Sequence, residues 1–162
     1  MRIIQGQKKN RRFTIPKNLK IRPTTDRAKE SLFNILENMY QLKNLMVLDL
    51  FSGSGNITYE FSSRGAIVTS VDINKKCIKF IQETSKKFEM ENAIFQKDGL
   101  KFLKTCNSKY DIIFADPPFD SSKEIYSKLI KLIFEKNLIL KNGMLIIEHS
   151  NFLNFEKEDG FL

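Results

Sequence analysis

The sequence predicts an α/β fold in which helices cover both faces of a mostly parallel β-sheet. Short apolar runs typical of buried strands alternate with helical segments along most of the chain. Four of these runs end at or beside an aspartate: Asp49, Asp72, Asp98 and Asp116. Because the carboxyl ends of parallel strands form one edge of such a sheet, we expect these acids to border a single ligand crevice.

The bulk composition is that of one globular domain. The chain has 162 residues, of which 41% are hydrophobic and 28% charged. It has no apolar run near the ~20 residues that cross a bilayer and no apolar signal core, so we expect a cytoplasmic protein without a membrane partner. Cys77 and Cys106 are expected to be buried thiols on helix faces, and the single His149 has no second histidine with which to hold a metal.

The basic charge is concentrated at the front of the chain. Residues 1–30 hold ten basic and two acidic side chains, a difference that equals the net charge of +8. We therefore divide the chain into a basic N-terminal hairpin or arm over residues 1–22 and a main domain over residues 23–162. A basic segment on a neutral body is typical of docking on nucleic acid, and a solvated tail without a partner is the alternative.

The first half of the main domain contains one leading helix and a strand–turn–helix unit. Thr25 or Asp26 is a suitable N-cap for the leading helix. Apolar residues at helical spacing predict its buried face: Ala28, Leu32, Ile35, Leu36 and Met39. A strand at about 45–50 then leads through a glycine turn into a helix over 55–64, which Gly65 ends.

The second half repeats the alternation. A strand over 66–72 leads to a helix that is capped by Asn74 and runs to about residue 90. A third strand over 93–97, a short helix and a fourth strand over 110–115 follow.

The last two predicted elements depend on a cap and a turn. Ser121 and Glu124 match a capping box, which predicts the start of a helix there. Asn142 and Gly143 predict a turn into a fifth strand over 144–149.

The glycine turn after the first strand is the first informative motif. Gly53 and Gly55 let the backbone turn sharply and approach a ligand, and Asp72 lies at about the spacing of a ribose-binding carboxylate. Thr58 stands where a dinucleotide fingerprint has its third glycine, and Asp49 would repel phosphates. An acid there suits a ligand with a cationic amino group, such as S-adenosylmethionine; a plain strand–helix turn is the alternative.

The second informative motif is Asp116-Pro117-Pro118-Phe119. The prolines stiffen the loop and donate no N–H, so the Asp116 carboxylate and the Pro117 carbonyl form a site of acceptors. Such a site suits an exocyclic NH2, whose lone pair would be freed to attack a sulfonium methyl group in line. Phe119 offers a face on which a base could stack. The alternative is a helix cap beside a proline-shaped turn.

Together these motifs resemble class I S-adenosylmethionine-dependent methyltransferases with an Asp-Pro-Pro-Phe amino-methylation motif. Within them the chain is most similar to the RsmD family, which methylates the N2 amine of a guanine in small-subunit ribosomal RNA. The likeness covers about residues 1–149 and includes the segments 22–27, 31–36, 49–55 and 116–119.

The resemblance implies a three-layer Rossmann-like sheet, S-adenosylmethionine as cofactor, and ribosomal RNA or a partly assembled small ribosomal subunit as partner. The implied catalytic residues are Asp116, Pro117 and Phe119. The implied cofactor-binding residues are Asp49, Gly53 and Gly55 at the methionine end, Asp72 at the ribose, Asp98 at the adenine amine, and Phe51, Ile73 and Gly99 beside them. The implied substrate-binding residues are Arg2, Lys8, Lys9, Arg11, Arg12, Arg22 and Pro118.

The chain departs from the family pattern at its end. Such methyltransferases usually add two further strands, whereas residues 151–162 carry little strand signal. We therefore expect something else, such as a partner chain, to cover the edge of the fifth strand.

Two other functions remain open at this stage. An adenine-N6 nucleic-acid methyltransferase would use the same amine chemistry, although the chain has no room for a separate target-recognition domain. A non-catalytic RNA-binding protein on a methyltransferase fold is the other, and the intact Asp49, Gly53, Gly55 and Asp116 argue against it.

Overall fold

The structure, a computed structural model, describes residues 1–19, 21 and 24–150. Helices and strands alternate through them as the sequence predicts. In chain order they are α1 (Asp26–Met39), β1 (Met46–Leu50), α2 (Asn56–Ser63), β2 (Ile67–Asp72), α3 (Lys75–Lys87), β3 (Ala93–Gln96), α4 (Gly99–Thr105), β4 (Tyr110–Ala115), α5 (Lys123–Glu135) and β5 (Ile139–Ile147).

All five strands are parallel and lie in the order β3-β2-β1-β4-β5. The predicted α/β fold is therefore confirmed. The strand order reverses between β1 and β4, whose register pairs Leu50 with Ala115. Open parallel sheets bind ligands at such a switch point, beyond the carboxyl ends of the strands.

The sheet separates two apolar layers. Along β1, Leu48 and Leu50 pack on one face with residues of α4 and α5, whereas Val47 packs on the other face with residues of α1 and α2. Successive strand residues point to opposite faces, so one strand contributes to both layers. The carboxyl ends of the strands are thereby held between two packed layers.

The N-terminal segment, residues 1–19, packs outside this sandwich. Arg2 and Arg12 form an antiparallel bridge, and the Phe13 N–H donates to the Met1 carbonyl at 3.0 Å. Phe13 is buried edge-on against Tyr59 of α2, with ring centroids 5.0 Å apart. The segment is therefore anchored to the domain through a small aromatic cluster.

The buried face of α1 differs from the predicted one. Thr25 is the N-cap, as predicted, but the buried residues are Lys29, Phe33 and Leu36. Ile35 and Met39 are 59% and 56% exposed, so their assignment to the core was wrong. The helix is rotated because Phe33 packs against Phe61 and the Lys29 ammonium reaches a buried carboxylate of α2.

The capping box predicted for α5 is also wrong. The N-cap is Ser122 rather than Ser121, and its side chain makes no capping hydrogen bond. The helix still buries the predicted Leu129 and Ile133.

The fifth strand begins earlier than predicted. β5 starts at Ile139, and the predicted turn at Asn142 and Gly143 is a bulge within the strand, with φ of 66° at Asn142. Tyr110 pairs with Ile139 and Ile112 with Met144, so β5 carries extra residues between the two pairs. The strand ends at Ile147, two residues before the predicted end.

Among the described residues, β5 pairs with β4 alone and forms an edge of the sheet. Residues 151–162, for which the sequence gives little strand signal, lie outside the described residues, and the cover of this edge by something else, such as a partner chain, stays a prediction. No helix in the described part of the chain has the length and apolar character to span a membrane.

Candidate active site

A cavity of about 780 Å³ opens at the carboxyl edge of the sheet, where β1 and β4 are neighbours. Small-molecule sites typically have volumes of about 300–1,000 Å³. The ends of β1, β2, β4 and β5, the glycine turn and the start of α1 form its wall. The lining residues that the sequence pointed to are Asp49, Phe51, Gly53, Asp72, Ile73, Asp116, Pro117, Pro118 and Phe119.

Asp49 is a nearly inaccessible carboxylate in the wall of this cavity, 1% exposed. The Thr58 hydroxyl donates to Asp49 Oδ2 at 2.5 Å and lies 2.8 Å from the Ser70 hydroxyl. Burial raises the pKa of Asp49 to about 7, although the Thr58 bond opposes the rise, and the nearby Asp116 and Asp72 charges add to it. Thr58 at the third-glycine position thus holds the acid that lies behind the turn.

The two glycines of the turn serve different purposes. A Cβ on Gly55 would lie 2.8 Å from the Tyr59 ring and 2.9 Å from Ile81, and its φ is +77°. Gly55 therefore lets the turn pack closely against Tyr59 of α2 and Ile81 of α3. Gly55 itself does not line the cavity. Gly53 has a φ of +52° and lines the cavity, where a Cβ would lie 3.3 Å from the Ile21 side chain and 3.9 Å from the Phe51 carbonyl.

Asp72 is fixed by the backbone on both of its oxygens. The Gly53 N–H donates to Oδ2 at 2.8 Å, and the Asn74 N–H donates to Oδ1 at 2.7 Å. Each carboxylate oxygen can accept more than one hydrogen bond, so both can still accept from a ligand. Ile73, which is 66% exposed, lies next to it in the lining.

Phe51 links this end of the cavity to α4. Its backbone is left-handed, with a φ of 60°, and its ring lies so close to Gly99 that a Cβ there would be 2.8 Å away. Asp98 caps α4 by accepting from the Lys101 N–H at 2.9 Å. Neither Asp98 nor Gly99 lines the cavity itself.

The Asp116-Pro117-Pro118-Phe119 loop forms the other end of the cavity. The Asp116 N–H donates to the Leu50 carbonyl at 3.3 Å, which ties the loop to β1. Burial raises the pKa of Asp116 to about 7, with a further contribution from the Glu148 carboxylate. Phe119 is 70% exposed, so its ring is available to a second molecule at the cavity mouth.

Several lining residues have no role in the sequence analysis. Glu148 follows β5, and Tyr126 is buried on α5. Asn56 begins α2 and donates to the Thr24 carbonyl at 3.0 Å, while its buried Oδ1 accepts no hydrogen bond from the described residues. Only Glu148 had a sequence signal, since it is an acid at a strand end like the four that were selected.

The basic residues of the N-terminal segment lie outside the cavity. The turn at Gly6 reaches the carboxyl end of α2, where the Gln7 N–H donates to the Ser63 carbonyl at 2.7 Å. Lys8 pairs with Glu89 at 3.4 Å, just beyond α3. Both helix ends lead into strand starts, so this turn lies at the amino edge of the sheet, opposite the cavity.

The other end of the segment approaches the cavity. Arg2 lies 3.6 Å from Asp26, the first residue of α1, and Thr25 before it lines the cavity. The side chains of Arg2, Lys9, Arg11 and Arg12 are exposed. The basic residues therefore lie along one flank of the domain. They span the distance from one edge of the sheet to the other, which for a five-residue strand is roughly 17 Å. Arg22 lies outside the described residues.

Within residues 1–19, 21 and 24–150, no group of three or more metal-ligating side chains could hold a metal ion. Cys77 on α3 and Cys106 at the end of α4 are both free and buried. Burial raises the pKa of the Cys77 thiol to about 11.

Comparisons with known proteins agree with this architecture. Residues 1–159 match the family described as conserved hypothetical protein 95. Curated relatives of this chain include proteins named ribosomal RNA small subunit methyltransferase D. That of Buchnera aphidicola subsp. Baizongia pistaciae is 36% identical over 95% of this chain and 78% of its own length. That of Escherichia coli is 30% identical over 99% of this chain and 77% of its own.

A solved structure shares the fold. The Escherichia coli protein YhhF superposes with a TM-score of 0.84 at 26% identity, over 95% of this chain and 84% of that protein. The family match over almost the whole chain, together with a cavity at the switch point of a parallel sheet, decides the family. The chain belongs to the RsmD family of ribosomal RNA small subunit methyltransferases.

Proposed function

We propose that this protein transfers a methyl group from S-adenosylmethionine to the N2 amine of a guanine in small-subunit ribosomal RNA. The carrying observation is a single cavity with two different ends. One end holds the Asp116 carboxylate and the Pro117 carbonyl, which are acceptors for an amine. The other end holds the glycine turn with the Asp49 and Asp72 carboxylates.

The glycine-turn end fits S-adenosylmethionine. No lysine or arginine of the described residues lines the cavity, so it favours a ligand with a positive charge and no phosphate. Asp49 and Asn56 both line the cavity, and the Asp49 carboxylate and the Asn56 Oδ1, which accepts no hydrogen bond from the described residues, suit an ammonium group. The backbone-fixed Asp72 suits a pair of ribose hydroxyls, and the apolar Phe51 and Ile73 suit the faces of an adenine ring.

The bound cofactor supplies an electrophilic sulfonium methyl group. The protein's part is to hold the acceptor amine: the Asp116 carboxylate and the Pro117 carbonyl accept its hydrogens, and Phe119 stacks on the base. Two such hydrogen bonds favour a pyramidal nitrogen, which frees the lone pair from the ring. The carbon–sulfur bond would break as the nitrogen bonds to the methyl carbon, sulfur would keep the electron pair, and the proton that the nitrogen loses would pass to the Asp116 carboxylate. Catalysis then rests on position and electrostatics, without a covalent enzyme intermediate.

The N-terminal segment supplies the RNA contacts outside the cavity. Its exposed basic side chains follow the flank from the start of α1 to the amino edge of the sheet. Only an extended or folded RNA could place its target base in the cavity and its phosphates along this flank at the same time. We therefore propose that ribosomal RNA, free or in a partly assembled small subunit, is the substrate.

The direct test is methyl transfer from labelled S-adenosylmethionine to unmodified small ribosomal subunits, their naked RNA and duplex DNA in parallel. Digestion to nucleosides and mass analysis would identify the product. We expect label in N2-methylguanosine from the ribosomal substrates. Label in N6-methyladenine would instead assign an adenine methyltransferase, and cofactor binding without any transfer would assign a non-catalytic RNA-binding role.

Cofactor affinity is expected to rise with pH because of Asp49. The pKa of Asp49 is about 7, so the group is largely protonated at pH 5.5 and must lose a proton to pair with an ammonium. Ionised carboxylate therefore becomes available as the pH rises toward 7, and the dissociation constant should fall by up to about 10-fold per pH unit. Calorimetric titration between pH 5.5 and 7 measures this slope while the amine of the ligand stays protonated.

Two amide variants identify the responsible group. Asp49→Asn should bind S-adenosylmethionine about 10-fold more weakly at pH 7 and lose most of the pH slope. Asp72→Asn, the matched control in the same cavity, should weaken binding but keep the slope. A slope that persists in Asp49→Asn would assign the proton to another group.

The RNA role of the N-terminal segment predicts a change in salt dependence. Replacing both Arg11 and Arg12 with alanine should weaken binding to small-subunit ribosomal RNA and reduce the slope of log affinity against log salt by up to about 1.5. Filter binding over a potassium chloride series measures it. The control replaces Lys128 and Lys131, which are exposed on α5, with alanine. An equal loss of slope in both double variants would show non-specific charge rather than contact by the segment.

A further inference from the structure

Glu148 brings a second carboxylate to the end of the cavity that holds Asp116. The register pairs Ala115 with Ile147, and the Glu148 N–H donates to the Ala115 carbonyl at 2.9 Å. Asp116 and Glu148 therefore directly follow the neighbouring strands β4 and β5. Adjacent strands of a sheet lie about 4.8 Å apart. Both side chains line the cavity, and the Glu148 charge contributes to the raised pKa of Asp116.

Among the described residues, no lysine or arginine neutralises this pair. Tyr126, buried on α5, lies close enough that both carboxylate charges raise its pKa, with burial as the larger cause. No described lysine or arginine lines the cavity or forms an ion pair with Asp116 or Glu148. Two adjacent acceptors thus face the space in which the proposed function places the target base, and that function uses only one of them.

Guanine and adenine differ in what they present to two adjacent acceptors. Along its Watson–Crick edge guanine places the N1–H donor beside the N2 amine, so donors lie side by side. Adenine places the N1 lone pair beside the N6 amine. A second carboxylate next to the first therefore gains a hydrogen bond with guanine, whereas with adenine it meets another lone pair.

This inference rests on the proposed function and extends it to base selection. We propose that the Glu148 carboxylate accepts the N1–H of the target guanine while Asp116 and Pro117 hold its N2 amine. Glu148 is then a specificity-determining residue that selects guanine against adenine.

The test compares guanine with 2-aminopurine at the nucleotide that the labelling experiment identifies. 2-Aminopurine keeps the amine that receives the methyl group, but its N1 carries a lone pair instead of a hydrogen. Small subunits would be reconstituted from ribosomal RNA that is ligated around a synthetic segment with either base. The measurement is kcat/KM for methyl transfer on each substrate.

The wild-type protein should prefer guanine by about 10- to 100-fold, because the bound analogue leaves the Glu148 carboxylate without its donor. Glu148→Ala should lower kcat/KM on guanine by about 10- to 100-fold and bring the guanine preference close to one. Glu148→Gln keeps an acceptor oxygen and should retain part of the preference. Glu135→Ala, which removes an exposed charge at the end of α5, should leave the preference unchanged.

Cofactor affinity and thermal midpoint show that each variant is folded, and Glu148→Gln serves if the alanine variant is not. Guanine methylation with an unchanged preference in the folded Glu148 variants would overturn the role of Glu148 and leave the proposed function standing. Absence of N2-methylguanosine with the wild-type protein would overturn both.

Discussion

The Asp116→Ala variant is expected to bind S-adenosylmethionine with almost wild-type affinity and to transfer methyl groups at least about 1,000-fold more slowly. Asp116 begins the loop after β4, whereas the proposed cofactor contacts lie on β1, the glycine turn and β2, so we expect cofactor binding not to need it. Its charge contributes to the raised pKa of Asp49, so its removal leaves Asp49 more fully ionised near pH 7, which offsets the lost attraction between Asp116 and a cationic ligand. Calorimetry and single-turnover transfer of labelled methyl groups separate the two effects.

Two further variants show whether the lost rate belongs to the acceptor. Asp116→Asn keeps a carbonyl oxygen at the same position and should retain more activity than the alanine variant. Asp120→Ala removes an exposed acid from the same loop and should leave the rate unchanged. Transfer by Asp116→Ala within about 10-fold of wild type would remove Asp116 from the reaction.

The site residues that the sequence predicted were all identified from short local patterns. Each apolar run predicts a strand, and the polar residue after it must lie at the carboxyl edge if the strands are parallel. Asp49 and Asp116 meet because β1 and β4 are neighbours, which follows from the strand order of this fold class. No side-chain contact had to be known for these acids to be selected.

Glu148 carried the same signal as the selected aspartates, but the predicted end of its strand was two residues too late. The predicted strand ran to His149, which made Glu148 a strand residue rather than a residue beyond the edge. β5 instead starts at Ile139 and ends at Ile147, with a bulge that no apolar periodicity records. An error of two residues at a strand end thus concealed a residue of the cavity.

The pattern of apolar residues could not predict which charged side chains are buried. Apolar periodicity assigns charged residues to the surface, yet Lys29 and Glu60 are both 0% exposed. Their burial depends on contacts between α1, α2 and the N-terminal segment, which lie far apart in sequence. Because Lys29 points into the core, Ile35 and Met39 turn outward, and the face predicted for α1 was wrong.

Glu60 is the centre of this buried network. Its Oε1 accepts from the Lys29 ammonium at 2.9 Å and from the Ile4 N–H at 2.9 Å, and its Oε2 accepts from the Arg64 guanidinium at 2.6 Å. Lys29 also donates to the Arg2 carbonyl at 2.8 Å. One carboxylate therefore pairs with two buried cations and ties the N-terminal segment to the domain, while Asp26 at 3.4 Å from Lys29 and Glu37 at 2.9 Å from Arg64 supply the remaining negative charge.

Glu60→Ala is expected to destabilise the protein by about 3–5 kcal/mol, because it leaves the buried Lys29 and Arg64 without their common counter-charge. That loss is a large part of the ~5–15 kcal/mol that stabilises a typical domain, and the thermal midpoint should fall by roughly 6–20 °C. Urea denaturation and thermal melts measure both quantities. Glu83→Ala, which breaks an exposed pair with Lys79, should shift the midpoint by no more than about 2 °C.

A double variant separates lost charge balance from lost packing. Lys29→Met with Glu60→Leu removes one charge of each sign and fills the space with apolar atoms, while Arg64 keeps its 2.9 Å pair with Glu37. If unpaired buried charge is the main loss, the double variant should be more stable than Glu60→Ala, although it has lost more hydrogen bonds. A double variant as unstable as Glu60→Ala would mean that the hydrogen bonds to the N-terminal segment, rather than the charges, hold this part of the fold together.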